Sequence, residues 1–220
     1  MKYHYQKGAS GKSKSGSRLK NALWIIVPCL TAGIGIYILI TAFSPSFIVV
    51  PFSDEQARVE ERLNSKPGIF GNRLYIPQIN VDVAIVEGND ESVLDRGAWH
   101  RQPQNGNPEK GGNFVLSAHR FLMGWTPQET RAKSPFYNIG RLKVGDQLFV
   151  DYKGSRYAYK ITRKYEVKPT AVEIEAKSEK AKLTLYSCTL EGAADGRDVI
   201  EAEPLGKVDK VQATEPGRLQ

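Results

Sequence analysis

The chain predicts a mostly β domain, an antiparallel barrel or sandwich of about eight short strands, preceded by one transmembrane helix near the amino terminus. Three observations lead there. Residues 22–43, ALWIIVPCLTAGIGIYILITAF, carry no charge. From Leu74 onward, apolar residues recur with a period of two. Helical patterning is confined to residues 54–65 and 91–95. A chain of 220 residues has room for one domain and its extensions but not for a second full core.

Residues 1–21 hold Lys2, Lys7, Lys12, Lys14, Arg18 and Lys20, no acid, and too few apolar side chains to pack. This segment reads as a disordered basic tail. The apolar stretch 22–43 spans about 33 Å as a helix, enough for a bilayer core. A secretory signal has a shorter apolar region. Ala42 and Ser44 form only a weak cleavage site, so the span is read as retained. Pro28, Gly33 and Gly35 would weaken a soluble helix and are tolerated in a membrane. All the early basic residues precede the span, and the first acid, Asp54, follows it. The positive-inside bias therefore predicts a single-pass protein of the cell membrane, its amino terminus cytoplasmic and residues 44–220 outside. Six of the seven net positive charges lie in residues 1–53, a topology signal rather than a nucleic-acid footprint, so no nucleic-acid partner is expected. Cys29 sits in the span and Cys188 in the exported part, which excludes a disulfide between them.

Ser53-Asp54-Glu55-Gln56 fits a capping box, and ARVEERL continues a short helix over 54–65. Pro67-Gly68 and Gly71-Asn72 then break the chain, so residues 44–68 read as a stalk, or as a helix packed on the domain's side, with the domain from 69 to 205. Strands are expected at 74–79, 79–85, 113–117, 147–152, 157–164, 166–169 with 172–174, 183–188 and 198–203. Lys153-Gly154 reads as a hairpin turn. Residues 206–220 read as a flexible tail.

The chemical inventory is small. His119 closes a strand in GGNFVLSAHR, and Cys188 ends another in KLTLYSC. Each alone is equally a strand-end surface histidine and a buried strand cysteine. A thiol becomes a nucleophile when a cation or a base within hydrogen-bond reach favours the thiolate. His119 and Arg197 supply both if the fold joins three strand ends. Trp99-His100 is either a groove wall or plain packing. No cluster with metal-ligand spacing is present, so neither metal nor cofactor is expected.

These segments together resemble the sortases, membrane-anchored cysteine transpeptidases of Gram-positive-type envelopes. Thr184-Leu185-Tyr186-Ser187-Cys188 is similar to the family's T-L-x-T-C signature, with Ser187 for the last threonine. GGNFVLSAHR is similar to its histidine segment, and Arg197 stands where the family has an arginine on the strand after the cysteine. LYIPQINVDVAIVEG resembles its first two strands, and SPFYNIGRLKVGDQLFV its P-F…G-D segment. The resemblance covers residues 69–205. Without a D-P-aromatic lid motif in residues 44–72, it leans toward classes D or E.

The resemblance implies an eight-stranded sortase-type β-barrel and a catalytic set of Cys188, His119 and Arg197. It implies Ser187, Ala118, Arg120 and His100 as substrate-binding, with Arg120 as a fallback cation. It implies cleavage of a carboxy-terminal sorting signal, L-P-x-T-G or L-A-x-T-G in type, at the Thr–Gly bond. The acceptor would be an amine of a peptidoglycan precursor or a pilin lysine. Papain-like peptidases place the cysteine before the histidine, and S-x-G-C transpeptidases need residues that Leu185-Tyr186-Ser187 do not match. An inactive tethered domain binding peptide or wall polymer is the non-enzyme alternative.

Overall fold

The computed structural model describes residues 15–46 and 53–208, so segments 1–14 and 209–220 of the expected tails lie outside the described residues. The chain divides into two units, Met1–Ile40 and Thr41–Gln220. The first consists of helix α1 (Ser15–Phe43), which runs on into the second unit. It starts ahead of the charge-free stretch, so residues 15–21, expected to be disordered, are helical. By length and composition, Leu23–Ser46 is apolar enough to cross a membrane.

The second unit opens with helix α2 (Ser53–Asn64). There follow strands β1 (Arg73–Ile76), β2 (Val81–Val86), β3 (Ala98–Arg101), β4 (Gly106–Asn107) and β5 (Gly111–Ser117), helix α3 (Pro127–Lys133), and strands β6 (Gln147–Tyr152), β7 (Ser155–Val167), β8 (Lys182–Thr189) and β9 (Gly192–Lys207). The spatial order β3-β2-β1-β6-β7-β9-β8-β5 closes through a β3–β5 pairing, giving an eight-stranded barrel; β4 is a two-residue addition to β5. Pairs β2–β3 and β5–β8 are parallel, and the other ladders are antiparallel.

Period-two alternation sends one set of side chains inward. Leu74 and Ile76, Phe114 and Leu116, Leu148 and Val150, Leu183 and Leu185, and Ile200 and Ala202 build one core. Each fully buried aliphatic side chain there contributes about 1.5–3 kcal/mol. The Lys153-Gly154 turn takes positive φ at both positions, as expected of a two-residue hairpin loop.

Several elements differ from the sequence reading. Val172–Glu175 is a 3-10 turn rather than a strand, and β7 ends at Val167. Ala98–Arg101 is a strand, with the parallel crossover from β2 placing it between β2 and β5. The segment after Cys188, read as a loop, is mostly the start of β9, paired back as a hairpin with Thr189 opposite Gly192. Helix α3 went unread although Thr126-Pro127-Gln128-Glu129 is a capping box, with the Thr126 hydroxyl accepting from Glu129 N–H at 3.1 Å. The domain's last strand continues to Lys207, past the expected boundary at 205.

Helix α2 packs on the barrel wall. Val59 and Leu63, four apart, bury against Tyr75, Phe149 and Ala158 on the outer face of β1, β6 and β7. Its carboxy-terminal carbonyls are capped by Arg156, 1% exposed, which donates to Leu63 O and, at 3.0 Å, to Arg62 O. The same guanidinium grips Asp151 through Nε at 2.6 Å and Nη2 at 2.9 Å. Burial, and then the Asp151 charge, push the Tyr75 hydroxyl beside this pair up to about 12.

Candidate active site

Three neighbouring strands, β5, β8 and β9, end or begin at one level of the barrel. The parallel β5–β8 ladder pairs Ser117 with Tyr186, and Ala118 N–H donates to Tyr186 O at 3.3 Å as the strand finishes. The ladder ends there: His119 lies two residues past the end of β5, where its carbonyl accepts from Phe136 N–H at 3.2 Å, and Cys188 lies two residues past Tyr186 on β8. The antiparallel β8–β9 ladder places Arg197 directly opposite Cys188, with the register shift falling just after it. Adjacent strands lie about 4.8 Å apart, so Cys188 and Arg197 are neighbours across their ladder.

Alternation decides the face. Val115, Tyr186 and Val199 pack together with Ile174 on the outside of the sheet. Cys188 and Arg197 share their parity and sit on the outer face, while His119 follows the end of β5. Cys188 is partly exposed and the His119 side chain is 28% exposed. His119 Nε2 lies 3.4 Å from Asp95 Oδ1 at the end of the 3-10 turn Glu91–Asp95. An ionised carboxylate can only accept, so this contact favours the Nε2–H tautomer and leaves Nδ1 as the open nitrogen. Arg197 Nη1 donates to Ala193 O at 2.7 Å and Gly196 O at 2.9 Å, which hold the guanidinium at the hairpin.

The residues expected to bind substrate have the opposite parity or are buried. Ser187 is 1% and Ala118 3% exposed, and both belong to the inward-facing rows. The Ser187 hydroxyl donates to Cys188 O at 3.0 Å. Arg120 is 8% exposed and paired through Nη1 with Asp198 Oδ2 at 2.6 Å, which occupies the cation expected as a fallback for Arg197. His100 is the clearest correction. It is 1% exposed, bonded to Gly106 O at 3.1 Å and Glu87 Oε1 at 3.2 Å, and set edge-on to Phe114, so it is packing and not groove wall. A one-residue step along a strand changes face, which is why neighbours of Cys188 and His119 in sequence are not their neighbours in the site.

The outer face beside the site is roofed by the 3-10 turn Val172–Glu175. Asn113 donates to Ile174 O at 2.9 Å and Ala176 O at 2.8 Å, and Thr184 Oγ1 donates to Asn113 Oδ1 at 2.7 Å. The Glu175 carboxylate accepts from Arg101 Nε at 2.8 Å, from Gln102 at 3.3 Å and from the Tyr186 hydroxyl. Burial pushes the Glu175 carboxyl up, but Arg101 and Tyr186 more than offset it and hold it below the usual carboxylate range. Sequence reasoning missed Asp95, Asp198 and Glu175; reading 172–174 as a strand hid the last, although the break at Pro169-Thr170 signals a turn. Among the described residues no three His, Cys, Asp or Glu side chains converge to hold a metal ion.

Fold and site together define a closed β-barrel protein with a partly exposed thiol near the end of β8, an arginine opposite it on β9 and a histidine just past the end of β5. The family model described as the sortase domain matches residues 74–205, and the chain belongs to the sortase family. Sortase D of Bacillus subtilis is 30% identical over 137 residues, covering 62% of this chain and 63% of that protein, so the match spans less than two thirds of that relative. Sortase E1 from Streptomyces coelicolor, solved with a tripeptide in the active site, superposes with a TM-score of 0.51 at 26% identity, covering 62% of this chain and 88% of that one. The sortase A structure from Listeria monocytogenes has a TM-score of 0.54 at 19% identity, covering 68% and 93%, a likeness of fold.

Proposed function

We propose that the chain is a membrane-anchored cysteine transpeptidase that cleaves a carboxy-terminal sorting signal at its Thr–Gly bond and passes the acyl group to an amine at the outer membrane face. The observation that supports this reading is the pairing of a partly exposed Cys188 with Arg197 across the β8–β9 ladder, with His119 two residues past the end of the neighbouring strand β5. The Cys188 thiolate attacks the threonine carbonyl, the C–N bond to glycine breaks, and a thioester forms while His119 donates a proton to the departing amine. An incoming amine then gives a proton to His119 and displaces the thiolate. Arg197 donates to the oxyanion or to the peptide backbone with the N–H groups of Nε and Nη2.

The anchor reading rests on the apolar stretch Leu23–Ser46, and the basic residues before it support, through the positive-inside bias, a barrel outside the cell. Both substrates of such a transfer are held at that face. The match to Sortase D and to Sortase E1 supports a class D or E role.

The test is mass spectrometry of the full chain in detergent with L-P-x-T-G and L-A-x-T-G peptides, beside Cys188→Ala. A thioester on Cys188 with release of the peptide's carboxy-terminal part is expected for the native chain and is absent in the variant. No adduct with either peptide, together with a thiol inert to alkylation, overturns the enzyme reading and favours a binding domain.

A further inference from the structure

Beyond catalysis, the structure carries an apolar surface beside the end of the span. The segment Phe121–Thr126 links the site to α3, and Phe121 follows His119 by two residues. Phe121 is 42%, Met123 45% and Trp125 86% exposed. Between and behind them the backbone is tied down by α3 and the residue after it. Leu122 N–H donates to Ser134 Oγ at 2.9 Å, Gly124 N–H to Thr130 Oγ1 at 3.0 Å, and Trp125 N–H to Glu129 Oε2 at 2.9 Å. The Glu129 charge is offset by Lys133 at 2.6 Å. Three large apolar side chains at alternate positions are thus presented outward by a built loop, an arrangement that water disfavours.

The same surface is seated on the last residues of the span. Phe121 packs edge-on against Tyr137, whose hydroxyl shares a 2.9 Å hydrogen bond with Ser46 Oγ. Asn138 donates to Pro45 O at 2.8 Å, Arg141 to Ser46 O at 3.3 Å, and Ser44 Oγ to Pro127 O at 3.0 Å. A chain that leaves a bilayer at residues 44–46 therefore emerges against α3 and the loop before it. Exposed aromatic and methionine side chains, with the exposed cation Arg141 held at Ser46 O, match the boundary between acyl chains and anionic headgroups.

We propose that Phe121, Met123 and Trp125 form a membrane-docking surface that inserts at the headgroup–acyl boundary and holds the His119 end of the barrel against the bilayer. The proposal rests on the anchor reading, and its occupant is the lipid surface into which α1 inserts.

The test uses the full chain in vesicles of phosphatidylglycerol and phosphatidylethanolamine, with and without lipids brominated near the glycerol backbone. The chain has three tryptophans, Trp24 in the span, Trp99 buried at 7% exposure, and Trp125. Emission of the native chain minus that of Trp125→Phe isolates Trp125, and the same subtraction with Trp24→Phe isolates Trp24. Docking predicts that the Trp125 share shifts to shorter wavelength and loses most of its intensity with brominated lipid. A Trp125 share that stays unquenched at the wavelength of a water-exposed indole, while the Trp24 share is quenched, overturns docking and leaves the anchor standing. If the Trp24 share is unquenched as well, the anchor reading falls and docking falls with it.

Discussion

Arg197 faces Cys188 across the β8–β9 ladder, and its Nη1 is already engaged by two carbonyls of its own hairpin. The fork geometry lets one edge of the guanidinium hold the hairpin, and the proposed role gives its remaining N–H groups to a substrate oxygen. Removing such a donor costs about 3–4 kcal/mol of transition-state stabilisation. Arg197→Ala is therefore expected to lower kcat by about 100–1000-fold in a peptide-cleavage assay, and Arg197→Lys should not restore it, because a point ammonium cannot make both sets of bonds. Turnover close to native in Arg197→Ala would remove the residue from the mechanism. Asp95 is a weaker case: it is 60% exposed and 3.4 Å from His119, and exposed pairs contribute up to about 1 kcal/mol. Asp95→Asn should cost less than about tenfold in kcat.

The 3-10 turn Val172–Glu175 is held over the outer sheet by its carbonyls and by one carboxylate, so its placement depends on charge. The Glu175 pKa is depressed in the folded state, so the stabilisation it supplies is present above the ordinary carboxylate value and is lost as pH falls through the folded one. Proteolytic cutting at residues 168–181 is expected to rise below about pH 4 in the native chain. Glu175→Gln should raise cutting already at pH 7, flatten that acid response, and cost about 1.5–3 kcal/mol, the range for a hydrogen bond to a charged group. Equal cutting of both proteins at every pH would show that the carboxylate does not hold the turn. The start of β5 is constrained differently. Gly112 has φ +78°, and a Cβ there would lie 2.3 Å from Asn105 O. Gly112→Ala is expected to loosen the strand that leads into His119, seen as faster amide hydrogen exchange along residues 111–117.

Across the whole molecule, α2 is strapped to the barrel through Arg156 and Asp151, each 1% exposed. Breaking one side of a buried pair leaves an uncompensated charge and costs about 3–5 kcal/mol. Arg156→Ala is expected to lower Tm by roughly 10 °C or more, whereas Arg156→Met combined with Asp151→Leu should recover much of that loss. A Tm unchanged in the single variant would mean that α2 and the barrel are not coupled through this pair.

The amino-acid sequence by itself determined the local rules: a charge-free apolar stretch with basic residues before it, strands that alternate, a hairpin at Lys153-Gly154, a histidine just after one strand and a cysteine near the end of another. Period two says which residues share a face. It does not say which face is inside, because Ser187 and Cys188 are equally good ends of the same strand. That choice came from the neighbours: Val115, Tyr186, Val199 and Ile174 cover the outer face, and the inward rows close the core. The pairing of β5 with β8 brings Ser117 to Tyr186, a contact across about seventy positions that no local pattern encodes. Tertiary structure alone turned Arg120 to Asp198, sank His100 beneath Phe114, and bent residues 172–175 into a turn whose carboxylate meets Arg101. Local propensity is read from a few adjacent residues, whereas burial and charge pairing are settled by strands that meet only when the barrel closes.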